Sequence, residues 1–273
     1  MNQTTGLRRP TIDKYYTKPE TVELCVSHIK TYVSMQPTDL IIEPSAGNGA
    51  FIDYIKPLTN TVFCYDLEPE NVEIIKQDYL LLPYEKLLQE NVHIIGNPPF
   101  GRQSSLAIKF IKHSCLFCTS ISFILPKSFK KNSLKRAFPR RFHLLFECDI
   151  PQNSFLVGGV EHDVPCVFQI WQKRLFDRGV AEVLYPIYFA FVSKEEPHDI
   201  SFRRVGVNAG VIDTQTEEKS KQSHYFIKFT NTLEIDVNIH ALSSVVFEFN
   251  NTVGPKSISK QELIVEYNSV LSA

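Results

Sequence analysis

The residues of this chain with the clearest chemical potential are the four consecutive residues Asn97-Pro98-Pro99-Phe100, which directly follow an apolar run. Prolines lack a backbone N–H and restrict the residue before them, so the pair holds the chain in a rigid, extended arc. There the Asn97 side chain and the Pro98 carbonyl can accept hydrogen bonds from both N–H groups of one planar amine. Phe100 adds a ring on which a heteroaromatic base can stack. The motif predicts a site that binds an exocyclic amine.

A second segment, Glu43-Pro44-Ser45-Ala46-Gly47-Asn48-Gly49, follows a short apolar strand. Gly47 and Gly49 have no Cβ, so a ligand can approach the backbone closely. The segment does not continue as GxGxxG or as a P-loop, and no basic residue is present to meet a pyrophosphate. A tight connection between a strand and a helix is the alternative interpretation. If the turn binds a ligand, these features disfavour a dinucleotide.

Two carboxylates downstream favour a nucleoside ligand. Asp66 ends the next predicted strand about 20 residues after the turn, where a carboxylate can accept hydrogen bonds from ribose hydroxyls. Leu67 would lie beside the adenine ring, and Asp78 is a candidate acceptor for the adenine amino group. The alternatives are a surface carboxylate for Asp66 and a helix or turn cap for Asp78.

These residues need a scaffold in which several strands end at one edge. Between about residues 20 and 172, apolar runs alternate with helical patterns, which indicates an α/β domain with a largely parallel sheet. The predicted helices span 21–33 and 104–117. The predicted strands span 39–43, 61–65, 92–95, 120–125, 142–148 and 164–171.

The sequence pattern changes after residue 173, which divides the chain into predicted domains 1–173 and 174–273. The second domain reads as a smaller β-rich unit with strand-like runs at 181–185 and 225–229. A final helix is predicted over 259–268, because Ser259 and Glu262 have the spacing of a capping box.

These motifs resemble those of the class I S-adenosylmethionine-dependent methyltransferases, specifically the nucleic-acid amino-methyltransferases with an Asn-Pro-Pro-Phe/Tyr/Trp motif. The resemblance covers about residues 13–172. It implies a Rossmann-like α/β fold with a mostly parallel seven-stranded sheet, plus the smaller β-rich C-terminal unit as the substrate-recognition region. It also implies S-adenosylmethionine as cofactor and no metal. The motif order, with the cofactor segment before the catalytic motif, is that of the gamma-type adenine-N6 DNA methyltransferases.

The resemblance also implies roles for individual residues. Asn97 and Pro98 would bind the N6 amine, with Pro99 completing the arc and Phe100 stacking on the base. Catalysis would come from placing the amine in line with the sulfonium methyl group, and a base in a duplex would first be extruded. The cofactor-binding residues would be Tyr16, Thr17, Glu43, Ser45, Ala46, Gly47, Gly49, Asp66, Leu67 and Asp78.

Two further regions are candidates for substrate contact. Phe155 lies in the loop between the last two predicted strands, where the family often places an aromatic residue against the base; a core position is the alternative. The run from Lys127 to Arg141 holds seven basic residues and no acidic one, so it could contact phosphates or be a solvated helix face. The candidate phosphate contacts are Lys127, Lys130, Lys131, Lys135 and Arg136.

Composition limits the remaining classes of protein. The net charge is −1, and no apolar run reaches the length of about 18 residues that a membrane span needs. The N-terminus lacks the apolar segment of an export signal, so we expect six reduced cysteines and a cytoplasmic or nuclear location. Cys115 and Cys118 form a lone CxxC without a second pair, which favours buried thiols over zinc.

Four functions stay open at this point. Motif order favours DNA N6-adenine methylation, and similar enzymes with an Asn-Pro-Pro-Phe motif also modify adenine in RNA. A protein glutamine N5-methyltransferase also grips a planar NH2 group, although those enzymes usually carry Tyr at the position of Phe100. A catalytically inactive nucleic-acid-binding or scaffold module is the fourth. A homodimer or a heterodimer is possible, and the sequence does not determine the oligomeric state.

Overall fold

The apolar runs form the strands of one large sheet in a computed structural model, which describes residues 15–88, 90–179, 182–247 and 256–272. Most of the N-terminal segment on which the export-signal prediction depends lies outside these residues. The chain divides into two units, residues 1–179 and residues 180–273. No helix among the described residues combines the length and the apolar character that crossing a membrane requires.

The first unit contains the predicted α/β pattern. Its helices are α1 (Pro19–Tyr32), α2 (Ile52–Ile55), α3 (Ser105–Ser114) and α4 (Asn132–Lys135). Its strands are β1 (Tyr16–Thr17), β2 (Leu40–Glu43), β3 (Thr61–Asp66), β4 (Ile75–Lys76), β5 (Val92–Gly96), β6 (Ser120–Pro126), β7 (Phe142–Asp149), β8 (Phe155–Val157), β9 (Val160–His162) and β10 (Cys166–Lys173).

Seven of these strands form a sheet in the order β4-β3-β2-β5-β6-β10-β7. The pairings from β4 through β6 are parallel, and β10 runs antiparallel to both β6 and β7. Chain order reverses between β2 and β5, as in Rossmann-like folds. The predicted Rossmann-like α/β fold, with its mostly parallel seven-stranded sheet, is confirmed.

The central strands are apolar on both faces because helices cover both sides of the sheet. Alternate residues of β2 enter different cores: Leu40 and Ile42 pack with α3 residues on one face, and Ile41 packs with α1 residues on the other. Cys115 and Cys118 are buried in the core on the α3 side, as expected for thiols that face the interior. These two cores hold the strand ends in place.

The segment between β7 and β10, expected as a loop, contains β8 and β9. Strand β8 pairs with β1 on one side and with β9 on the other in a separate three-stranded antiparallel sheet, with Thr17 opposite Phe155. Strands of two or three residues are too short to show a periodic pattern in the sequence. The N-terminal segment is therefore attached to the loop that was predicted to contact substrate.

The second unit is β-rich, as predicted. Its elements are β11 (Phe189–Val192), β12 (Ile200–Arg203), β13 (Ile212–Asp213), β14 (His224–Phe229), α5 (Ile235–Leu242) and α6 (Lys260–Leu271). The strands form an antiparallel sheet in the order β11-β14-β12-β13. The capping box is confirmed: the Ser259 hydroxyl accepts the N–H of Glu262, and the Glu262 carboxylate accepts the N–H of Ser259.

The strand predicted at 181–185 is wrong for its described residues, 182–185; Ala181 lies outside the described range. Leu184 donates its N–H to Gln261 Oε1 at 3.0 Å, and its carbonyl accepts from Gln261 Nε2 at 2.9 Å. A side-chain amide on α6 thus satisfies the backbone groups that a neighbouring strand would otherwise satisfy.

Candidate active site

Strands β2 and β5 lie side by side and parallel, so the glycine turn and the Asn97 motif meet at one edge of the sheet. We call this the carboxyl edge; Glu43 ends β2 there and Gly96 ends β5. The strands approach so closely that a Cβ on Gly96 would lie 3.3 Å from Cγ of Glu43. Open α/β sheets bind ligands at this kind of strand-order reversal.

The glycine turn needs both of its glycines. Gly47 and Gly49 have φ angles of 55° and 88°, a region that residues with a Cβ rarely adopt. A Cβ on Gly49 would also come within 2.8 Å of Ile52 Cδ1 and 2.9 Å of Asn71 Nδ2. The Gly47 N–H donates to Asp66 Oδ2 at 2.8 Å, which ties the turn to the end of β3.

Asp66 fixes this loop and keeps acceptor capacity. Its Oδ1 accepts the N–H of Glu68 at 2.8 Å and its Oδ2 accepts that of Gly47. Each oxygen of an ionised carboxylate has a further lone pair, so ribose hydroxyls remain predicted partners. Leu67 is 59% exposed beside it. Asp78 accepts the N–H of Leu80 at 2.9 Å, which is the capping arrangement; its contact with adenine stays a prediction.

Glu43 is a buried carboxyl with spare hydrogen-bonding capacity. Its side chain is 2% exposed, and its Oε2 has no hydrogen-bond partner among the described residues. Burial raises the pKa of Glu43 to about 8, against a hydrogen bond from Cys64 that lowers it, and nearby Asp66 adds a smaller increase. A buried carboxyl with a free oxygen is costly unless a donor or a cation reaches it.

The Asn97 amide is held from two sides. Its Nδ2 donates to Thr17 Oγ1 at 3.3 Å, and its main-chain carbonyl accepts from Ser45 Oγ at 3.1 Å. Its Oδ1 is buried and accepts no hydrogen bond from any described residue. The structure therefore presents a fixed, unsatisfied acceptor at the carboxyl edge.

The rest of the motif connects this acceptor to the next helix. Pro98 is buried, and the partly buried Phe100 packs against the core on the α1 side of the sheet. The Phe100 carbonyl accepts the N–H groups of Leu106 and Ala107 at 3.1 and 3.3 Å, so α3 begins just beyond the motif. Phe100 follows Asn97 closely in the chain, and its stacking on a base stays a prediction.

Strand β1 contributes two of the predicted cofactor residues. The Tyr16 ring lies against the glycine turn, because a Cβ on Gly47 would be 3.3 Å from Tyr16 Cε1. The Tyr16 hydroxyl donates to Glu70 Oε1 at 2.5 Å. Thr17 is buried and accepts a hydrogen bond from Asn97 Nδ2. Strand β1 therefore contacts the glycine turn through Tyr16 and the Asn97 motif through Thr17.

Phe155 lies in the core in this structure. Its ring is 1% exposed, and it makes an edge-on contact with Tyr15 at a centroid distance of 6.4 Å. This is the arrangement of the core alternative, and no ring face is open to a base. A stacking role would require β8 to move and stays a prediction.

Two carboxylates of β7 partly neutralise the basic run. Lys127 and Lys130 bridge Asp149 at 3.2 and 2.7 Å, and Lys135 meets Glu147 at 3.1 Å. The run has no acidic residue of its own, so sequence spacing gave no sign of these pairs. Lysines in ion pairs are less available to phosphates, although the two that share Asp149 retain a net positive charge near the carboxyl edge.

The distal part of the run is held by Arg178, which sequence reasoning did not identify. Arg178 lies over the Trp171 ring at 5.2 Å. Its guanidinium donates to the carbonyls of Lys135, Phe138, Pro139 and Phe142. Lys131 is half-buried and Arg136 is exposed. The local sequence carries no signal for this contact, because its two sides are about 40 residues apart.

Comparison with known proteins gives similarity in structure only. No family model and no curated protein matches the sequence. A provisionally assigned RNA methyltransferase from Pyrococcus horikoshii is 14% identical, with 63% of this chain and 93% of that chain covered and a TM-score of 0.43. TrmN from Thermus thermophilus is 18% identical (57% and 52% covered, TM-score 0.39). The 23S rRNA methyltransferase ErmE is 12% identical (62% and 73% covered, TM-score 0.42). The fold assignment therefore rests on the strand order itself.

Proposed function

We propose that this chain is an S-adenosylmethionine-dependent methyltransferase that methylates the exocyclic N6 amine of adenine in a nucleic acid. The observation that carries the proposal is the buried Oδ1 of Asn97, which is fixed at the carboxyl edge and has no partner among the described residues. An amine N–H is the kind of group that would satisfy this acceptor. The neighbouring Pro98 carbonyl is the proposed second acceptor.

The residues around the glycine turn fit the chemistry of S-adenosylmethionine. The free oxygen of Glu43 suits the cofactor's ammonium group, and Asp66 has lone pairs left for ribose hydroxyls. Leu67 offers an exposed apolar side chain for the adenine ring. When bound, S-adenosylmethionine supplies an electrophilic methyl group.

The chain's own contribution to catalysis is placement of the amine. Two acceptors, Asn97 Oδ1 and the Pro98 carbonyl, would grip both N–H groups and draw the nitrogen lone pair out of conjugation. Holding reacting groups in line can supply about 7–11 kcal/mol of the barrier reduction. Asn97 takes up no proton at neutral pH, so the proton would leave only after the nitrogen has become cationic.

The distribution of charged residues favours a nucleic acid over a protein amide as the substrate. It also favours the first unit as the part of the chain that contacts phosphates. Residues 1–179 hold 21 Lys and Arg against 18 Asp and Glu, whereas residues 180–273 hold 8 against 12. Non-specific phosphate contact depends on basic side chains. The proposed recognition role of the second unit would therefore depend on specific side-chain contacts.

The proposal is tested with methyl-labelled S-adenosylmethionine and matched single-stranded DNA, duplex DNA and RNA, followed by nucleoside analysis. We expect label in N6-methyladenine, and the three polymers compared at equal adenine content identify the substrate. Calorimetric titration of S-adenosylmethionine measures cofactor binding separately.

Three results would overturn the proposal. Label in cytosine would refute the N6 assignment, and label in protein glutamine would identify the amide methyltransferase. Failure to bind S-adenosylmethionine would favour the inactive scaffold module.

A further inference from the structure

The second unit carries a surface on which positively charged side chains lie against aromatic rings. Lys260 Nζ is 4.5 Å from the centre of the Phe191 ring and 5.8 Å from the centre of the Tyr225 ring. The guanidinium carbon of Arg204 lies 5.5 Å from the centre of the same Tyr225 ring. The two rings meet edge-on at a centroid distance of 5.4 Å. Two positive charges are therefore held beside one partly buried tyrosine.

Lys194 adds a third positive charge to this surface, in the same groove as the Lys260 side chain. Its Nζ donates to two backbone carbonyls, at 2.5 and 2.8 Å. Arg204 likewise donates to the Gln222 carbonyl at 2.7 Å. Neutral carbonyls fix these side chains in place and leave their charge uncompensated. We use the name cationic patch for Phe191, Lys194, Arg204, Tyr225 and Lys260.

The cations of the patch are not paired with carboxylates. Among the described residues, none of the three forms a salt bridge. The acidic neighbours are engaged with other groups: Glu195, which lines the groove, pairs with Lys221, and Glu262 accepts a backbone N–H at the start of α6. The basic run of the first unit differs, because Asp149 and Glu147 pair with three of its lysines.

The position of Lys260 does not serve the stability of α6. Lys260 is the first residue of that helix, where the positive end of the helix dipole disfavours a cation. Its contact with the Phe191 ring offsets part of that cost. Helix stability therefore does not account for a lysine at this position, and removal of its charge should leave the fold intact.

Clustered cations without carboxylate partners suit a polyanion. Phosphates placed beside them relieve the mutual repulsion of the cations, and the nucleic acid releases counterions when it binds. The second unit as a whole holds 8 Lys and Arg against 12 Asp and Glu, so phosphate contact there requires a local cluster of this kind. The cations already lie over the two rings, which favours contact with the phosphate backbone over stacking on bases.

We propose that the cationic patch binds the phosphate backbone of the nucleic-acid substrate, without regard to base sequence. This inference rests on the proposed function, because it takes a nucleic acid to be the substrate. It deepens that function by giving the second unit a contact with the polymer. The contact would hold the polymer on the enzyme and would not select the target sequence, since phosphates carry no base identity.

The test measures binding of the full chain to fluorescein-labelled single-stranded oligonucleotides by fluorescence anisotropy, at several salt concentrations. Lys260→Gln removes one charge from the patch, and Lys260→Arg keeps it. Lys228→Gln is the matched control. It removes the same charge from β14, the strand that contains Tyr225, but from the opposite face, because side chains alternate along a strand. Circular dichroism confirms that each variant is folded.

Loss of the Lys260 charge should weaken binding and its salt dependence together. In Lys260→Gln the Kd should rise about two- to fivefold, the effect of losing an exposed ion pair. The slope of log Kd against log salt should fall by about 0.7, the value for one phosphate of a single strand. Lys260→Arg and Lys228→Gln should stay near the wild type. An adenine-containing and an all-thymine oligonucleotide should be weakened equally, because the contact is with the backbone.

Two competitors test the assignment to a nucleic acid. Unlabelled oligonucleotide should displace the labelled strand far better than polyglutamate or inorganic phosphate at equal concentration of charge. Polyglutamate that competes equally well would assign the patch to an acidic protein segment. Equal competition by inorganic phosphate would reduce it to a site for a single anion. Either result would overturn the inference.

The outcomes also separate this inference from the proposed function. If the wild type methylates adenine and Lys260→Gln keeps the wild-type Kd and salt slope, the patch assignment is wrong and the proposed function stands. Equal weakening in Lys228→Gln would have the same meaning, since net charge alone would explain the loss. If the wild type binds oligonucleotides through the patch but transfers no methyl group, the inference stands and the proposed function fails. A wild type that binds no nucleic acid would overturn both.

Discussion

The two edges of the large sheet each hold a cluster of buried polar side chains, and the clusters differ in how well they are satisfied. At the amino ends of the central strands, which we call the amino edge, His93 Nδ1 lies 2.7 Å from Ser120 Oγ and His93 Nε2 lies 3.2 Å from Asp39 Oδ2. Asp39 also accepts from the Gln36 N–H and from Asn91 Nδ2. Every polar side-chain atom of His93, Asp39 and Ser120 has a partner.

At the carboxyl edge the hydrogen bonding of the polar side chains is incomplete, since Glu43 Oε2 and Asn97 Oδ1 have no partner among the described residues. A buried unsatisfied acceptor costs about 1–3 kcal/mol, and only a few per hundred residues occur in native structures. Two of them lie on adjacent strand ends, where the proposed cofactor and amine would complete the network. The satisfied Asp39–His93–Ser120 cluster indicates a structural role at the other edge, despite its Ser, His and Asp composition.

The largest effect is expected when the amine acceptor is removed. Asn97→Ala should lower methyl transfer by about 10²–10³-fold, as loss of one preorganised hydrogen-bonding group in an active site does. Affinity for S-adenosylmethionine should be nearly unchanged, which titration calorimetry would show. Ser120→Ala is the matched control at the amino edge and should keep its turnover. Near-normal turnover in Asn97→Ala would refute the proposed amine grip.

The next effect is a pH dependence of stability at the carboxyl edge. Burial raises the pKa of Glu43 to about 8, well above the ordinary value of about 4.3 in an unfolded chain. Between these values the folded state holds a proton that the unfolded state has lost. Stability from this group is therefore full below pH 4.3 and is lost, at about 1.4 kcal/mol per pH unit, as the pH rises toward 8.

Glu43→Gln should remove this slope, because the amide does not titrate. Denaturant unfolding at pH 6 and pH 8 measures it: the wild type should lose about 2 kcal/mol more than the variant between the two values. Parallel losses in the two proteins would mean that Glu43 is ionised in the fold. The neutral glutamine amide would then not mimic the ionised side chain of Glu43.

The sequence predicted the parts of the site that depend on local residue order. The Asn97 motif, the Gly47–Gly49 turn and Asp66 each follow an apolar run that a buried strand requires, so their common edge follows from parallel-sheet geometry. Element types followed from periodicity in the same way. The observed ends of the elements differ from the predicted ends by a few residues. Strand β10, for example, begins at Cys166 because Pro165 has no N–H for the ladder.

Sequence reasoning could not predict contacts between distant residues whose types fit many partners. Thr17 and Asn97 are 80 residues apart, and nothing in either segment specifies the other. The Tyr16–Glu70 bond and the Lys130–Asp149 pair are of the same kind. The burial of Phe155 could not be predicted either, because the sequence of a predicted loop does not show whether an aromatic ring in it is buried.

At the amino edge, removing the histidine should cost stability without affecting binding. His93→Leu deprives the buried Asp39 carboxylate and the Ser120 hydroxyl of a partner, which should lower the free energy of unfolding by about 2–3 kcal/mol. The Kd for S-adenosylmethionine should not change, because the cluster lies at the opposite end of the strands. Chemical denaturation and titration calorimetry on the same samples test both statements. A weakened cofactor affinity in a folded variant would mean that the two edges are coupled.

The smallest effect is the acid response of the same cluster, whose sign is opposite to that of Glu43. Burial lowers the pKa of His93, against the raising effect of Asp39, so the unfolded chain takes up a proton near pH 6.5 before the folded chain does. Stability is therefore full above about pH 6.5 and falls with decreasing pH until the folded histidine protonates, with a slope of at most about 1.4 kcal/mol per unit. The stability gap between wild type and His93→Leu should narrow between pH 7 and pH 5.5, measured on the Glu43→Gln background so that the opposing slope is absent. A gap that widens would mean that His93 is charged in the fold, and the amino edge would then be an ion pair with Asp39 rather than a neutral hydrogen-bonded cluster; a constant gap would mean that folding does not shift the pKa of His93.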